Sequence, residues 1–349
     1  MMDTYSIGKV WPQDAGMLAK VDALLAQEGI ERDGNLDYTC AIFNDDLDVI
    51  ATGSFFGNTL RCLAVDEHHQ GVGLMSKLVG HLIEEERVRG NLQLFVYTKV
   101  AAAKFFRDMG FHEIARVDGS LVFLENRPGG FDAYLRELAA TRQPGTAAAV
   151  VMNANPFTLG HRHLVEVAAR ACDTLQLFVL SEDASLIPFE VRRRLVREGV
   201  ADLPNVVMHD SGPYIISSAT FPSYFLKDTA AVNENHARLD IAVFQRIAQA
   251  LGITERFVGE EPTSSVTSIY NRIMAEELPR AGISCQIVPR LATADGNPVS
   301  ASTVRQALHG GDLETVRALV PDTTYAYLAS PEAAPVLKRL RAAQNVEHY

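Results

Sequence analysis

Between residues 38 and 125, short apolar runs separated by polar turns predict a sheet of short strands. Tyr38 to Phe43, Val49 to Phe56 and Leu60 to Val65 are rich in β-branched, aromatic and aliphatic residues, as strands are. The polar turn Asp66-Glu67-His68-His69-Gln70-Gly71-Val72-Gly73 follows, and Leu74, Leu78, Val79 and Leu82 then recur at helical spacing. Leu94 to Tyr97 returns to strand. Ala101 to Met109 is helical and stops at Gly110, a residue suited to the left-handed helix end. Phe111 to Val117 and Leu121 to Glu125 complete an α+β pattern.

Pro128-Gly129-Gly130 breaks that pattern, and Arg142-Gln143-Pro144-Gly145 breaks the chain again. Between them, Phe131, Tyr134, Leu135 and Leu138 form one face of a short amphipathic helix. Domains are therefore expected at residues 1–126 and 146–349, joined by a linker helix across 127–145. From Ala147 onward strand-like and helix-like segments alternate. Strands are expected at Ala147 to Met152, Leu175 to Leu180, Val206 to His209, Arg256 to Val258 and Cys285 to Val288. Helices are expected at Val191 to Val200, Ile241 to Leu251 and Val266 to Glu277. This alternation predicts an α/β fold with a parallel sheet covered by helices, and Leu313 to Leu340 reads as a helical cap.

A length of 349 residues suits two domains, and 47% hydrophobic residues suffices for two cores. The net charge of −11 argues against nucleic acid or an anionic membrane as main partner, while leaving room for a local basic pocket. Cys40, Cys62, Cys172 and Cys285 show no metal spacing and no C-x-x-C, so reduced thiols and a cytoplasmic location are expected. The first ten residues are too polar for a signal peptide or a membrane span.

The richest stretch chemically is Ala147 to Arg170. An apolar strand runs into Asn153-Ala154-Asn155-Pro156-Phe157-Thr158-Leu159-Gly160-His161, and a helix with Leu164, Val165, Val167 and Ala168 begins. A helix start offers unpaired N–H groups and a positive dipole end, which suit phosphate. Gly160 would let a ligand approach the backbone, and His161 would add an imidazole donor. Alone, Thr-x-Gly-His reads first as a solvent-exposed histidine at a helix start. A second segment, Val299-Ser300-Ala301-Ser302-Thr303-Val304-Arg305, begins about 140 residues downstream. Ser300 suits an N-cap there, and Ser302, Thr303 and Arg305 supply hydroxyls and a guanidinium for phosphates.

The two segments together resemble the T/HxGH nucleotidyltransferases. Asn155-Pro156 stands where these enzymes usually have Asp-Pro, and Thr158 replaces the first His of the commoner H-x-G-H. Related enzymes carry F-x-x-x-x-R after the second strand, which matches Phe189 to Arg194 and assigns Arg194. Arg192 and Arg193 are expected on a solvated basic helix face. Ser211 to Lys227, with Tyr214, Phe221, Tyr224 and Phe225, fits a substrate wall or plain core equally. The loop after Phe257-Val258-Gly259, with Tyr270 and Asn271 nearby, can hold ribose hydroxyls or a metal, or be structural.

The first half resembles the GNAT acetyltransferases. His68-His69-Gln70-Gly71-Val72-Gly73 is similar to that family's Q/R-x-x-G-x-G/A loop, which binds diphosphate, although His68 replaces the usual Gln or Arg. Phe105 to Phe111 is similar to its aromatic-x-x-x-G-F segment. No residue marks itself as an amine-deprotonating base.

A GNAT-like domain ahead of a Rossmann-like nucleotidyltransferase domain resembles the citrate lyase ligase family. The resemblance runs through N-A-N-P-F-T-L-G-H, A-T-F-P-S-Y-F-L-K, R-F-V-G-E-E-P, Y-N-x-x-M and V-S-A-S-x-V-R. It implies ATP-dependent acetylation, through acetyl-AMP, of a thiol on the citrate lyase acyl carrier subunit. That thiol belongs to a dephospho-CoA-like prosthetic group, and the partner is otherwise acetate. The implied catalytic set is His161, Thr158 and Arg305. Asn153, Asn155, Gly160, Arg194, Gly259, Ser300, Ser302 and Thr303 would bind the nucleotide, and Gln70, Gly71 and Gly73 the prosthetic group. Mg²⁺ is expected to ride mainly on phosphates and water, with no protein metal site. Two other readings are a bifunctional acetyltransferase and mononucleotide adenylyltransferase of cofactor synthesis, and a protein-docking module beside a degenerate nucleotide-binding domain, against which the intact second motif argues.

Overall fold

The computed structural model describes residues 5–182, 185–215, 221, 229–260, 265–293, 296–343 and 346. Its contacts group into two compact units. One comprises residues 1–133 with 221–242, and the other residues 134–220 with 243–349.

In the first unit the strands are β1 (Ser6–Val10), β2 (Tyr38–Phe43), β3 (Val49–Phe56), β4 (Thr59–Val65), β5 (Phe95–Lys99), β6 (His112–Val117) and β7 (Leu121–Glu125). They form one sheet in the order β1-β2-β3-β4-β5-β7-β6. The helices are α1 (Ala15–Gln27), α2 (Leu74–Val88) and α3 (Ala103–Asp108). Leu74, Leu78, Val79 and Leu82 of α2 are buried together with Cys40, Ile42 and Phe55, so the apolar stripe read from sequence is the packed face. Gly53 is required by that packing: a Cβ there would lie 2.7 Å from Leu63 and 2.9 Å from Leu82.

All neighbouring strands in this sheet are antiparallel except β4 and β5. Those two pair only at Thr59–Phe95 and Leu60–Val96 and then part. A register shift between Thr52 and Ser54, opposite Cys62 with φ of +51°, accompanies the separation. A cavity of about 550 Å³ lies there, lined from β4 by Leu63, Ala64 and Val65 and from β5 by Tyr97, Thr98 and Lys99.

In the second unit, β8 (Ala147–Met152), β9 (Thr174–Val179), β10 (Val206–Asp210), β11 (Ile253–Gly259) and β12 (Ser284–Val288) form a parallel sheet in the order β10-β9-β8-β11-β12. The order reverses beside β8, so the crevice at the carboxyl ends of β8 and β11 is the topological switch point where such sheets receive ligands. The helices in chain order are α4 (Gly130–Ala139), α5 (Leu159–Arg170), α6 (Phe189–Gly199), α7 (Thr229–Leu251), α8 (Ser265–Glu277) and α9 (Ala301–Gly310), with α4 up to Ala133 and α7 up to Ala242 belonging to the first unit. Three short helices follow: α10 (Leu313–Leu319), α11 (Asp322–Leu328) and α12 (Ala334–Ala342). β8 is buried along nearly its whole length, as a central parallel strand must be, which accounts for its unbroken Ala/Val run. Val165 and Ala168 of α5, Leu195 and Val196 of α6, and Val304 and Leu308 of α9 join it in one core.

Candidate active site

β8 ends at Met152, and the next six residues turn the chain into α5. Ala154 adopts φ of +53°, a left-handed conformation that non-glycine residues seldom take, and it is buried. Phe157 drops into the core against α6: a Cβ on Gly199 would lie 2.5 Å from the Phe157 ring, so only glycine admits it. The Phe157 ring also lies beside His161, with centroids 5.9 Å apart and 20° between planes.

Thr158 is the N-cap of α5 and is buried. Its Oγ1 accepts from the His161 backbone N–H at 3.3 Å, and its own N–H donates to His161 Nδ1 at 3.1 Å. The Thr158 hydroxyl also lies 2.9 Å from Nδ1. This is a capping box with histidine in the place usually held by Glu or Gln. Because Nδ1 accepts, the ring proton of the neutral imidazole is assigned to Nε2. Burial, reinforced by the charges of Arg290 and Arg305, lowers the His161 pKa to about 4. At neutral pH the imidazole is thus an uncharged donor held in one tautomer by Thr158.

The second motif meets the first directly. Ser300 caps α9, with Oγ accepting from Thr303 N–H at 3.1 Å. The Ser302 and Thr303 hydroxyls each lie 2.8 Å from Ser300 Oγ, so three hydroxyls cluster at this helix start. A Cβ on Gly160 would sit 2.7 Å from the backbone oxygen of Val299. Gly160 is therefore small because another backbone, that of the second motif, presses against it. Arg305, buried on α9, donates from Nη1 to the Asn155 carbonyl at 2.8 Å and from Nε to the Val346 carbonyl at 2.7 Å. The Asn155 side chain accepts from Ile187 N–H at 3.1 Å.

The remaining expected residues fall in different places. Asn153 exchanges hydrogen bonds with Ser185, at 2.9 and 3.1 Å. The Gly259 carbonyl, at the end of β11, accepts from Asn271 Nδ2 at 3.0 Å. Arg194 does not join Thr158 to His161: it grips Glu332 at 2.9 and 3.0 Å and lies over the Tyr327 ring. Within Ser211 to Lys227, Tyr214, Ile215 and Phe221 are buried, while residues 216–220 and 222–228 lie outside the described residues. Glu261 and Pro262 also lie outside them.

Two arginines near the site escape the sequence reading. Arg192 is expected on a solvated face, and the structure corrects this: it is fully buried. The signal was present in the spacing, because Arg192 shares the buried stripe of α6 with Leu195, Val196 and Gly199. Arg290 follows β12, donates to the Glu260 carbonyl at 2.7 Å, and bears electrostatically on His161. It precedes a turn in which Val299 N–H returns to the Leu291 carbonyl at 2.8 Å, so one short loop carries both Arg290 and the start of the second motif.

In the first unit, the turn before α2 holds Gly71 at φ of +81° and Gly73 at +84°, which only glycine adopts readily. Gln70, Gly71 and Gly73 line the 550 Å³ cavity, as do His69 and Lys99. His69 Nδ1 lies 2.9 Å from Asp66 Oδ1.

Residues 147–328 match the family model described as the citrate lyase ligase C-terminal domain, and residues 17–111 match that of the acetyltransferase (GNAT) family. The chain is 42% identical over 285 residues to the citrate (pro-3S)-lyase ligase of Klebsiella pneumoniae, covering 80% of this chain and 83% of that protein. It is 40% identical to the Escherichia coli K12 ligase of the same name, over 88% of this chain and 90% of that one. The Haemophilus influenzae ligase is 37% identical, over 89% and 95%. The chain belongs to the citrate lyase ligase family, with a GNAT unit ahead of its ligase domain.

Proposed function

We propose that this ligase activates acetate as acetyl-AMP and passes the acetyl group to a thiol carried by the citrate lyase acyl carrier subunit. Acetate is ionised at neutral pH and needs no base. One of its oxygens attacks the α-phosphorus of ATP, the bond from that phosphorus to the bridging oxygen breaks, and pyrophosphate leaves. The thiolate of the prosthetic group then attacks the acetyl carbonyl. The carbonyl–oxygen bond to AMP breaks, leaving a thioester and AMP.

The observation that carries the reading is the junction of two helix starts at the switch point of the sheet. Gly160 of α5 abuts Val299, and Arg305 of α9 bonds Asn155. Two helix N-termini, an Nε2–H donor and the cations Arg290 and Arg305 suit a triphosphate and the charge that grows as pyrophosphate departs. His161, Thr158, Arg305, Ser302 and Thr303 act here, with Thr158 working through His161. Among the described residues no three His, Cys, Asp or Glu side chains cluster as a metal cage. Mg²⁺ would arrive with ATP on phosphate oxygens and water, where it would neutralise phosphate charge.

The prosthetic group belongs in the cavity of the GNAT unit, with its diphosphate at Gln70, Gly71 and Gly73 and its thiol arm between β4 and β5. Among the described residues no helix is long and apolar enough to cross a membrane. A cytoplasmic enzyme fits the partner.

The test is ATP–pyrophosphate exchange. Exchange is expected with acetate alone and lost in His161→Ala, while Gly71→Glu keeps exchange and loses transfer to the carrier. Exchange that requires a mononucleotide instead of acetate would support the cofactor-synthesis reading and sink this one.

A further inference from the structure

Arg192 has no part in the chemistry just described, yet its surroundings connect the whole site. Its side chain is fully buried. Nη1 donates to the Asn153 carbonyl, to Asn153 Oδ1 and to the Leu180 carbonyl, each at 2.8 Å. Nη2 donates to the Glu182 carbonyl, and Nε to the Ile187 carbonyl at 3.0 Å. One guanidinium thus holds the carboxyl end of β8, the carboxyl end of β9 and the segment leading into α6.

The network continues into both motifs. Ile187, which accepts from Arg192 through its carbonyl, donates through its N–H to Asn155 Oδ1 at 3.1 Å. The Asn155 carbonyl in turn accepts from Arg305. Asn153 and Asn155 flank Ala154, whose left-handed backbone is a conformation that persists only where neighbours enforce it. The loop is therefore fixed from two sides, by Arg192 at Asn153 and by Arg305 at Asn155. Three residues later Thr158 sets the tautomer and direction of His161.

We infer that Arg192 is the positioning residue of the adenylation site. It works through the Asn153–Asn155 turn to set the distance between His161 and the second motif. The planar fork is needed because the acceptors lie in several directions, and a lysine ammonium cannot reach them together. This rests on the acetyl-AMP reading above, and the experiment separates the two: if the wild-type chain shows no acetate-dependent exchange, that reading fails first.

The experiment compares the full-length Arg192→Lys and Arg192→Met variants with wild type in acetate-dependent ATP–pyrophosphate exchange. Thermal melting and circular dichroism run in parallel. The expected result is a folded Arg192→Lys variant whose kcat falls about 100-fold, the scale of a misplaced reacting group, with the ATP KM within about threefold of wild type. In a double-mutant cycle with Arg305→Lys the losses in kcat are expected to be non-additive, because both arginines act on the same turn. A folded variant with wild-type kcat overturns the proposal, as does a loss confined to KM. If neither variant folds, Arg192 is purely structural and the proposal also falls.

Discussion

His161 gains its chemical character from its neighbours rather than from exposure. Thr158 occupies Nδ1, the Phe157 ring limits the imidazole on one side, and burial keeps it neutral. His209 behaves alike: burial lowers its pKa to about 4, and its Nε2 lies 2.6 Å from Gln176 Oε1. Both histidines would titrate near 6.5 once unfolded. Between about pH 6.5 and 4 the unfolded chain therefore binds protons that the folded chain refuses. Stability is full above pH 6.5 and falls as pH drops, by up to about 1.4 kcal/mol per pH unit for each histidine. Urea midpoints from pH 6.5 to 5 should fall in wild type and fall less in His209→Gln. Equal slopes in the two proteins would contradict the assignment. The basic run at residues 192–194 shows why residue roles are hard to read from sequence. Three adjacent arginines look alike, and only helical phase distinguishes the buried Arg192 from Arg193, paired with Asp210, and Arg194, paired with Glu332.

Elements with strong periodicity were legible, and their ends and contacts less so. β2, β3, β8 and α2 lie where the apolar pattern puts them, because the three strands are buried almost end to end and α2 buries one helical stripe. β1 and α1 give no comparable signal: Ser6 to Val10 has one fully buried position, and α1 buries only Val21, Leu24 and Leu25. Helix α7 is expected from Ile241 and starts at Thr229, since Asn233-Glu234-Asn235-His236 masks its first turns. The contact of Gly160 with Val299 has no local signature, for it joins residues far apart in sequence. It makes a direct prediction about how α5 meets α9. Gly160→Ala forces a methyl group to within 2.7 Å of a backbone oxygen, so the helix starts must move apart. Overpacking of this kind costs about 1–3 kcal/mol. The variant should lower the melting temperature and reduce exchange more than any change in ATP binding explains. Wild-type melting and exchange would mean that the motifs tolerate separation.

At the scale of the whole molecule, the −11 net charge conceals a cationic site, because Arg290 and Arg305 lie at one sheet crevice while acidic residues dominate elsewhere. The two-domain organisation is visible in the sequence as a change from short β-rich periodicity to strand–helix alternation. The return of residues 221–242 to the first unit is not, because no break in composition marks it. Within that unit, Phe221 meets Tyr97 edge-on with centroids 5.5 Å apart, and Ser120 donates to Asn235 at 2.6 Å. The first unit is thus completed by chain made after β8, β9 and β10. A ribosome emitting residues 1–133 releases a sheet with the Tyr97 side still uncovered, so it cannot finish folding in strict N-to-C order. A fragment ending at residue 145 should melt at lower temperature than the intact chain and bind an apolar dye, and full stability in that fragment would contradict this. Gene fusions and truncations that cut at the obvious Pro-Gly breaks would divide a folding unit, not separate two.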